Sequence, residues 1–135
     1  MKIIFAVDDC DTNLSVVETA LCEEYSVYTM TSAGKMFSLL ENITPELILL
    51  DIDMPVMNGL DALKELKVSR WASIPVIFLS AHNNENYEIT GLNSGAADFI
   101  SKPFSTPILL NRIKNHIRID EIIQKHNEKP ITIRI

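Results

Sequence analysis

Three carboxylates, a hydroxyl and an ammonium stand at the ends of short apolar runs in this chain. Asp8 and Asp9 follow IIFAV (Ile3–Val7), and Asp51 follows LILL (Leu47–Leu50). Ser80 follows VIFL (Val76–Leu79), and Lys102 closes the run Asp98–Ser101. If these ends meet, three carboxylates within about 5 Å repel by roughly 1–3 kcal/mol per pair. Such a cluster must protonate, pair or bind a cation. A hard divalent ion with oxygen ligands suits it, Mg²⁺ first and Mn²⁺ as its substitute. A metal on one side of Asp51, with Lys102 and Ser80 on the other, makes a cage for a dianionic phosphoryl group. That cage supplies positioning and charge neutralisation, the two requirements of phosphoryl transfer. Asp51 would then be the nucleophile, giving an acyl phosphate.

Taken singly, each residue has an ordinary explanation. An acidic pair in a loop is solvated charge or a helix cap, Asp51 a turn residue, Ser80 uninformative and Lys102 a surface lysine. Their joint meaning depends on the elements that carry them. Ile3–Val7, Ser26–Met30, Leu47–Leu50, Val76–Leu79 and Asp98–Ser101 read as strands, the second at a sheet edge. Helices alternate with them. Asp11 or Thr12 caps the first, which carries Leu14, Val17 and Leu21 on one face. Gly34–Ile43, Leu60 to about Arg70, Asn84–Ser94, and Ser105 or Thr106 to about Lys125 are the others. Five strands alternating with five helices predict an α/β fold, a parallel sheet covered on both faces. Right-handed crossovers then bring every strand's C-terminal end to one edge, where open α/β sheets bind ligands.

The chain has 135 residues, 47% of them hydrophobic, enough for one domain with a core. Its net charge of −6 is uneven: residues 1–104 hold 6 Lys and Arg against 15 Asp and Glu, residues 105–135 hold 6 against 3. An acidic body argues against direct nucleic-acid binding. Two cysteines, Cys10 and Cys22, form neither a metal spacing nor a disulfide framework. Cys10 reads as a small buried residue at a helix start, and Trp71 as helix-end packing. No apolar run is long enough to span a bilayer, so the expected setting is a soluble, cytoplasmic one without membrane contact.

The order Val7-Asp8-Asp9, then Leu49-Leu50-Asp51-Ile52-Asp53-Met54-Pro55-Val56-Met57-Asn58-Gly59, then Phe78-Leu79-Ser80-Ala81, then Gly95-Ala96-Ala97-Asp98-Phe99-Ile100-Ser101-Lys102-Pro103-Phe104, resembles the receiver domains of two-component response regulators. The similarity runs from residue 2 to about 118. It implies a flavodoxin-like, doubly wound five-stranded parallel sheet of order 2-1-3-4-5 with five helices. It also implies Asp51 as phosphoacceptor, with Asp9 and Asp51 binding Mg²⁺ directly. Asp8 would bind it through water, and Asp53 through its backbone carbonyl. Ser80 resembles the switch hydroxyl, Lys102 the lysine that pairs with the phosphoryl group, and Pro103 the cis-proline beside it. Phe99 occupies the place of the aromatic switch residue that turns inward when Ser80 moves, without a tyrosine hydroxyl. Asp53 and His82 occupy the positions that influence phosphoryl lifetime. The resemblance further implies a sensor histidine kinase or phosphotransfer protein as donor and a downstream effector domain or protein. A homodimer through the strand 4–strand 5 face would also fit. The activity is then self-phosphorylation and autodephosphorylation in a signalling switch, outside conventional enzyme classes.

Two other functions compete. A haloacid-dehalogenase-type phosphatase shares the Asp51-Ile52-Asp53 spacing, but Met54-Pro55 departs from its motif and the chain has no room for a cap. A receiver-shaped interaction module that is never phosphorylated would have no need of the acidic cluster. Towards the C-terminus, Ile108, Leu109, Leu110, Ile113 and Ile117 predict a core-facing stripe. Ile119, Ile122 and Ile123 continue apolar character beyond it, and residues 126–135 read as a tail or the start of a linker after a domain of 1–125.

Overall fold

The computed structural model describes residues 1–81 and 85–128. His82 and the stretch 129–135 lie outside the described residues. The elements alternate as β1 (Ile3–Val7), α1 (Asp11–Leu21), β2 (Ser26–Met30), α2 (Ala33–Leu40), β3 (Leu47–Asp51), α3 (Gly59–Lys67), β4 (Val76–Ser80), α4 (Glu85–Asn93), β5 (Asp98–Ser101) and α5 (Thr106–Glu128). All strand pairs are parallel and the order is β2-β1-β3-β4-β5. This is the flavodoxin-like, doubly wound α/β sheet that the sequence pattern and resemblance predict.

The central strands are apolar throughout because both of their faces are covered. Every residue of β3 and β4 is buried, whereas the edge strand β2 exposes Tyr28 and Thr29. Alternate side chains feed two cores. Phe5, Ile48, Leu50, Phe78 and Phe99 join α2 and α3 residues on one face; Ile4, Ala6, Leu49, Ile77, Leu79 and Ile100 meet Leu14, Val17, Leu109 and Ile113 on the other.

Helix ends differ from the sequence expectation in physically simple ways. α1 begins at Asp11 behind Cys10, whose side chain makes no capping bond, so neither Asp11 nor Thr12 is the cap. Asp11 instead places its charge in the first turn, where the helix dipole favours it. Cys10 is exposed, not buried, because this helix start lies at the open edge of the sheet. α2 stops at Leu40 and α3 at Lys67, each earlier than the apolar spacing suggests. After α3, the Ser69 hydroxyl donates to the Leu66 carbonyl (2.7 Å) and accepts the Trp71 N–H (3.1 Å), turning the chain. Trp71 packs against Phe37 (6.1 Å between centroids) under the Arg70 guanidinium, past the helix end. In α5, Leu109, Ile113 and Ile117 are the buried stripe, but Ile108 is 51% exposed. Spacing of four centres the stripe on 109, 113 and 117, and residue 108 falls about 100° away from it.

Candidate functional site

The C-terminal ends of β1, β3 and β5 bring Asp8, Asp9, Asp51 and Lys102 around one cleft, while Ser80, at the end of β4, is fully buried and does not line it. Asp51 is the last residue of β3 and is buried. Asp8 follows β1 and is buried as well, while Asp9 beside it is exposed. Carboxylate oxygens of Asp8, Asp9 and Asp51 all lie within 4.8 Å of one another. The Lys102 ammonium donates to Asp8 Oδ2 at 2.7 Å and stands 3.6 Å from Asp51 Oδ1. Asp8 also accepts the Cys10 N–H through Oδ1 (3.0 Å), so both of its oxygens are engaged.

Local folding explains this placement. The Lys102 N–H donates to the Ser80 carbonyl at 2.7 Å, tying the end of β5 to the end of β4. Ser80 is itself fully buried as the last residue of β4, with Ala81 lining the cleft after it. The Lys102–Pro103 peptide is cis. The loop after β3 is closed by the Gly59 N–H donating to the Ile52 carbonyl (2.8 Å). A Cβ on Gly59 would lie 2.4 Å from the Asp51 carbonyl oxygen, so glycine is required for α3 to start so close to the site. Asp53 is exposed in this loop and close enough to act on the charge of Asp51.

The electrostatics follow from the crowding. Burial lifts the Asp51 carboxyl to about 6 from the ordinary 3.8; Lys102 opposes the rise, and Asp8, Asp53 and Asp9 add to it. Three carboxylates against one ammonium leave an excess of negative charge made wholly of oxygen donors. That donor set fits a divalent hard cation and offers nothing to a soft one. Asp8, Asp9 and Asp51 are the side chains that would hold it.

The cleft encloses about 550 Å³ and extends beyond the acidic cluster. Asn13 and Val16 of α1, Phe104 and Thr106 line the extension. Sequence reasoning did not single these out. Asn13 and Val16 lie four and seven residues after Asp9, in the first turns of the helix that follows it, and that proximity was the available signal. Phe99 is 8% exposed and lies in the core among Phe78 and Ala96, away from the cleft lining. Among the described residues, no other group of three His, Cys, Asp or Glu side chains gathers closely enough to hold a metal. No helix among them is long and apolar enough to cross a membrane.

Residues 4–114 match the response regulator receiver domain family. The chain is 36% identical over 132 residues to the response regulator SaeR of Staphylococcus aureus, covering 97% of this chain and 56% of that protein. It is 32% identical over 129 residues to a probable cyclic di-GMP phosphodiesterase of Vibrio cholerae, covering 93% of this chain and 29% of that one. A solved receiver domain protein (CheY-like) from Methanospirillum hungatei superposes with a TM-score of 0.82 at 30% identity, over 90% of this chain and 97% of that one. The chain therefore spans from under a third to just over half of these curated relatives.

Proposed function

This chain belongs to the response regulator receiver domain family, and from that premise we propose that it is a phosphorylation-operated switch whose acceptor is Asp51. A carboxylate oxygen of Asp51 bonds to the phosphorus of a phosphohistidine, or of a small donor such as acetyl phosphate, as the bond to the leaving group breaks. Lys102, already shared between Asp8 and Asp51, offsets the charge gathered on the phosphoryl oxygens. Ser80 supplies the hydroxyl that answers the new group. A Mg²⁺ held by Asp8, Asp9, Asp51 and the carbonyl of Asp53 would supply the remaining charge neutralisation. Hydrolysis of the acyl phosphate by water returns the Asp51 carboxylate and resets the switch.

The observation that carries this reading is the three-carboxylate cluster with an ammonium 3.6 Å from Asp51. A pure interaction module has no use for that uncompensated charge, which costs folding stability. The donor would be a histidine kinase or phosphotransfer protein seated along the cleft extension at Val16 and Phe104. Output would pass to an effector domain or protein. The exposed Ile89, Leu92 and Ile108 support a second copy on the face built by α4, β5 and α5. The folded unit would be residues 1–125. Intact-mass spectrometry after incubation with acetyl phosphate and Mg²⁺ tests the acceptor. One phosphoryl adduct is expected, absent in Asp51→Asn and without Mg²⁺; no adduct together with no Mg²⁺ binding sinks the switch.

A further inference from the structure

The sheet ends on two edge strands, β2 and β5, and their chemistry differs. β5 is four residues long, opens on Asp98 and is followed at once by Lys102 and Pro103. Brevity, charge and proline are the devices by which an edge avoids recruiting another strand. β2, with the sequence SVYTM, lacks charge, proline and glycine over its five residues. Its register with β1 is unbroken from Ile3↔Ser26 to Val7↔Met30, so no bulge twists it away either. Among the described residues β2 pairs with β1 alone. The ladder defines its open side. The Ser26 N–H donates to the Lys2 carbonyl (2.9 Å), and the Met30 carbonyl accepts the Asp8 N–H (3.1 Å). Ser26, Tyr28 and Met30 therefore turn their backbone groups toward β1, and Val27 and Thr29 turn theirs outward. Between those two, Tyr28 is 36% exposed, with its ring 6.0 Å from that of Phe5.

We propose that this edge pairs antiparallel with the β2 edge of a second copy, about a two-fold axis at Tyr28. The edge is self-complementary. With Tyr28 on the axis, Val27 of one copy faces Thr29 of the other, and each such pair exchanges both of its hydrogen bonds. All the outward N–H and C=O groups of Val27 and Thr29 are then used. Tyr28 meets its own counterpart at the closer, non-hydrogen-bonded spacing of about 4.5 Å between Cα atoms, where an aromatic pair is favourable. The same register turns the exposed acidic pair Glu23-Glu24 of one copy toward the exposed Lys35 of the other, just past the end of its β2. Opposite charges thus flank the pairing on both sides. The contact is small, so the pair forms at high concentration and separates on dilution. β2 lies at the far side of the sheet from β5, which leaves the face of α4, β5 and α5 free. Neither Asp51 nor the acidic cluster takes part, so the inference stands apart from the switch.

The test uses the full chain without phosphodonor, by sedimentation equilibrium up to about 1 mM, enough to register a pair with a Kd of about that size. Amide exchange is followed at low and high concentration. Wild type should dimerise, and the Val27 and Thr29 amides should slow as concentration rises. Those of Ser26 and Tyr28, held by β1, should stay slow throughout. Tyr28→Lys sets two ammonium groups opposite each other on the axis and should weaken the dimer about ten-fold or more. If that variant does not fold, Thr29→Pro removes one outward donor while sparing the β1 ladder, and must weaken the dimer likewise. Ile108→Asp, on α5, should leave it unchanged. A chain that stays monomeric at the highest concentration overturns the proposal. So does a dimer that survives Tyr28→Lys or is lost in Ile108→Asp. Val27 and Thr29 amides equally slow at every dilution would mean that the edge is covered within one copy, which overturns it too.

Discussion

Asp51 and Asp98 are carboxylates at opposite ends of two strands of one sheet, β3 and β5, with β4 between them, and their surroundings push them in opposite directions. Asp51 is raised to about 6, chiefly by burial. Its ionised form is disfavoured in the fold, so its contribution to stability is complete below the ordinary value of 3.8 and is lost as pH rises through about 6. Asp51→Asn escapes that loss. Without divalent ions at pH 8 it should be more stable than wild type by about 2 kcal/mol, one pKa unit being worth about 1.4 kcal/mol. Urea titrations at pH 4.5 and 8 check this, and the gap should close at the lower pH. Lys102 retains Asp8 as a 2.7 Å partner, so the substitution strands no ammonium. At Asp98, burial also opposes the charge, but hydrogen bonds from Arg112, His116 and the Phe99 N–H outweigh it and lower the carboxyl. Its stabilisation is present above the ordinary carboxylate range and lost as pH falls through its lowered value. Asp98→Asn should therefore lower stability at pH 7 and weaken the acid limb of the pH profile, measured the same way. Val56 is a third residue at odds with its chemistry: a β-branched side chain, fully exposed, at φ 68°. Val56→Gly should raise stability by about 0.5–1 kcal/mol, since left-handed backbone costs a non-glycine residue about 1–2 kcal/mol and glycine's freedom when unfolded returns part of that. No change in the urea midpoint would mean the loop relaxes.

At the level of elements, α3 shows how tightly a helix can be fitted to a reacting group. Asn58 caps it by accepting the Asp61 N–H (2.9 Å), and Gly59 presses on the backbone of Asp51 and Ile52. Gly59→Ala has no flexible neighbour to displace, so it must move either α3 or the end of β3. A loss of about 1–3 kcal/mol is expected, the usual range for overpacking, with slower adduct formation at Asp51 because the acceptor's own backbone shifts. Normal phosphorylation kinetics in a destabilised Gly59→Ala would show that the helix yields and the strand does not. Much of this was legible in advance: strands covered on both faces read as unbroken runs such as LILL and VIFL, and their last residues named the site. Helix ends were less legible, because the turn after α3 is made by one serine hydroxyl, and nothing in the apolar spacing encodes it. The exposed Cys10 was misread because burial at a helix start depends on which edge of the sheet it faces.

Across the whole molecule, the two cores share a sheet but not a boundary. The core against α1 and α5 ends at Ile117, 4% exposed, yet α5 continues to Glu128. Ile119, Ile122 and Ile123 on that continuation are 47–62% exposed, and the ion pair of Glu121 with Lys2 is a surface one. Sequence periodicity alone could not separate these isoleucines from the buried ones, because helical phase drifts by a few degrees per turn and the end of the sheet leaves no mark in the chain. The structure separates them sharply, and the energetics should follow. Ile113, fully buried, should cost about 2–5 kcal/mol on replacement by alanine, through lost burial and the cavity left behind. Ile122→Gln and Ile123→Gln, in contrast, should each change stability by no more than about 0.5 kcal/mol in the monomer. Thermal melts at low protein concentration measure both. If the glutamine variants melt several degrees lower, the extension packs on something in solution; sedimentation at matched concentrations would then show whether that something is a second copy of this chain.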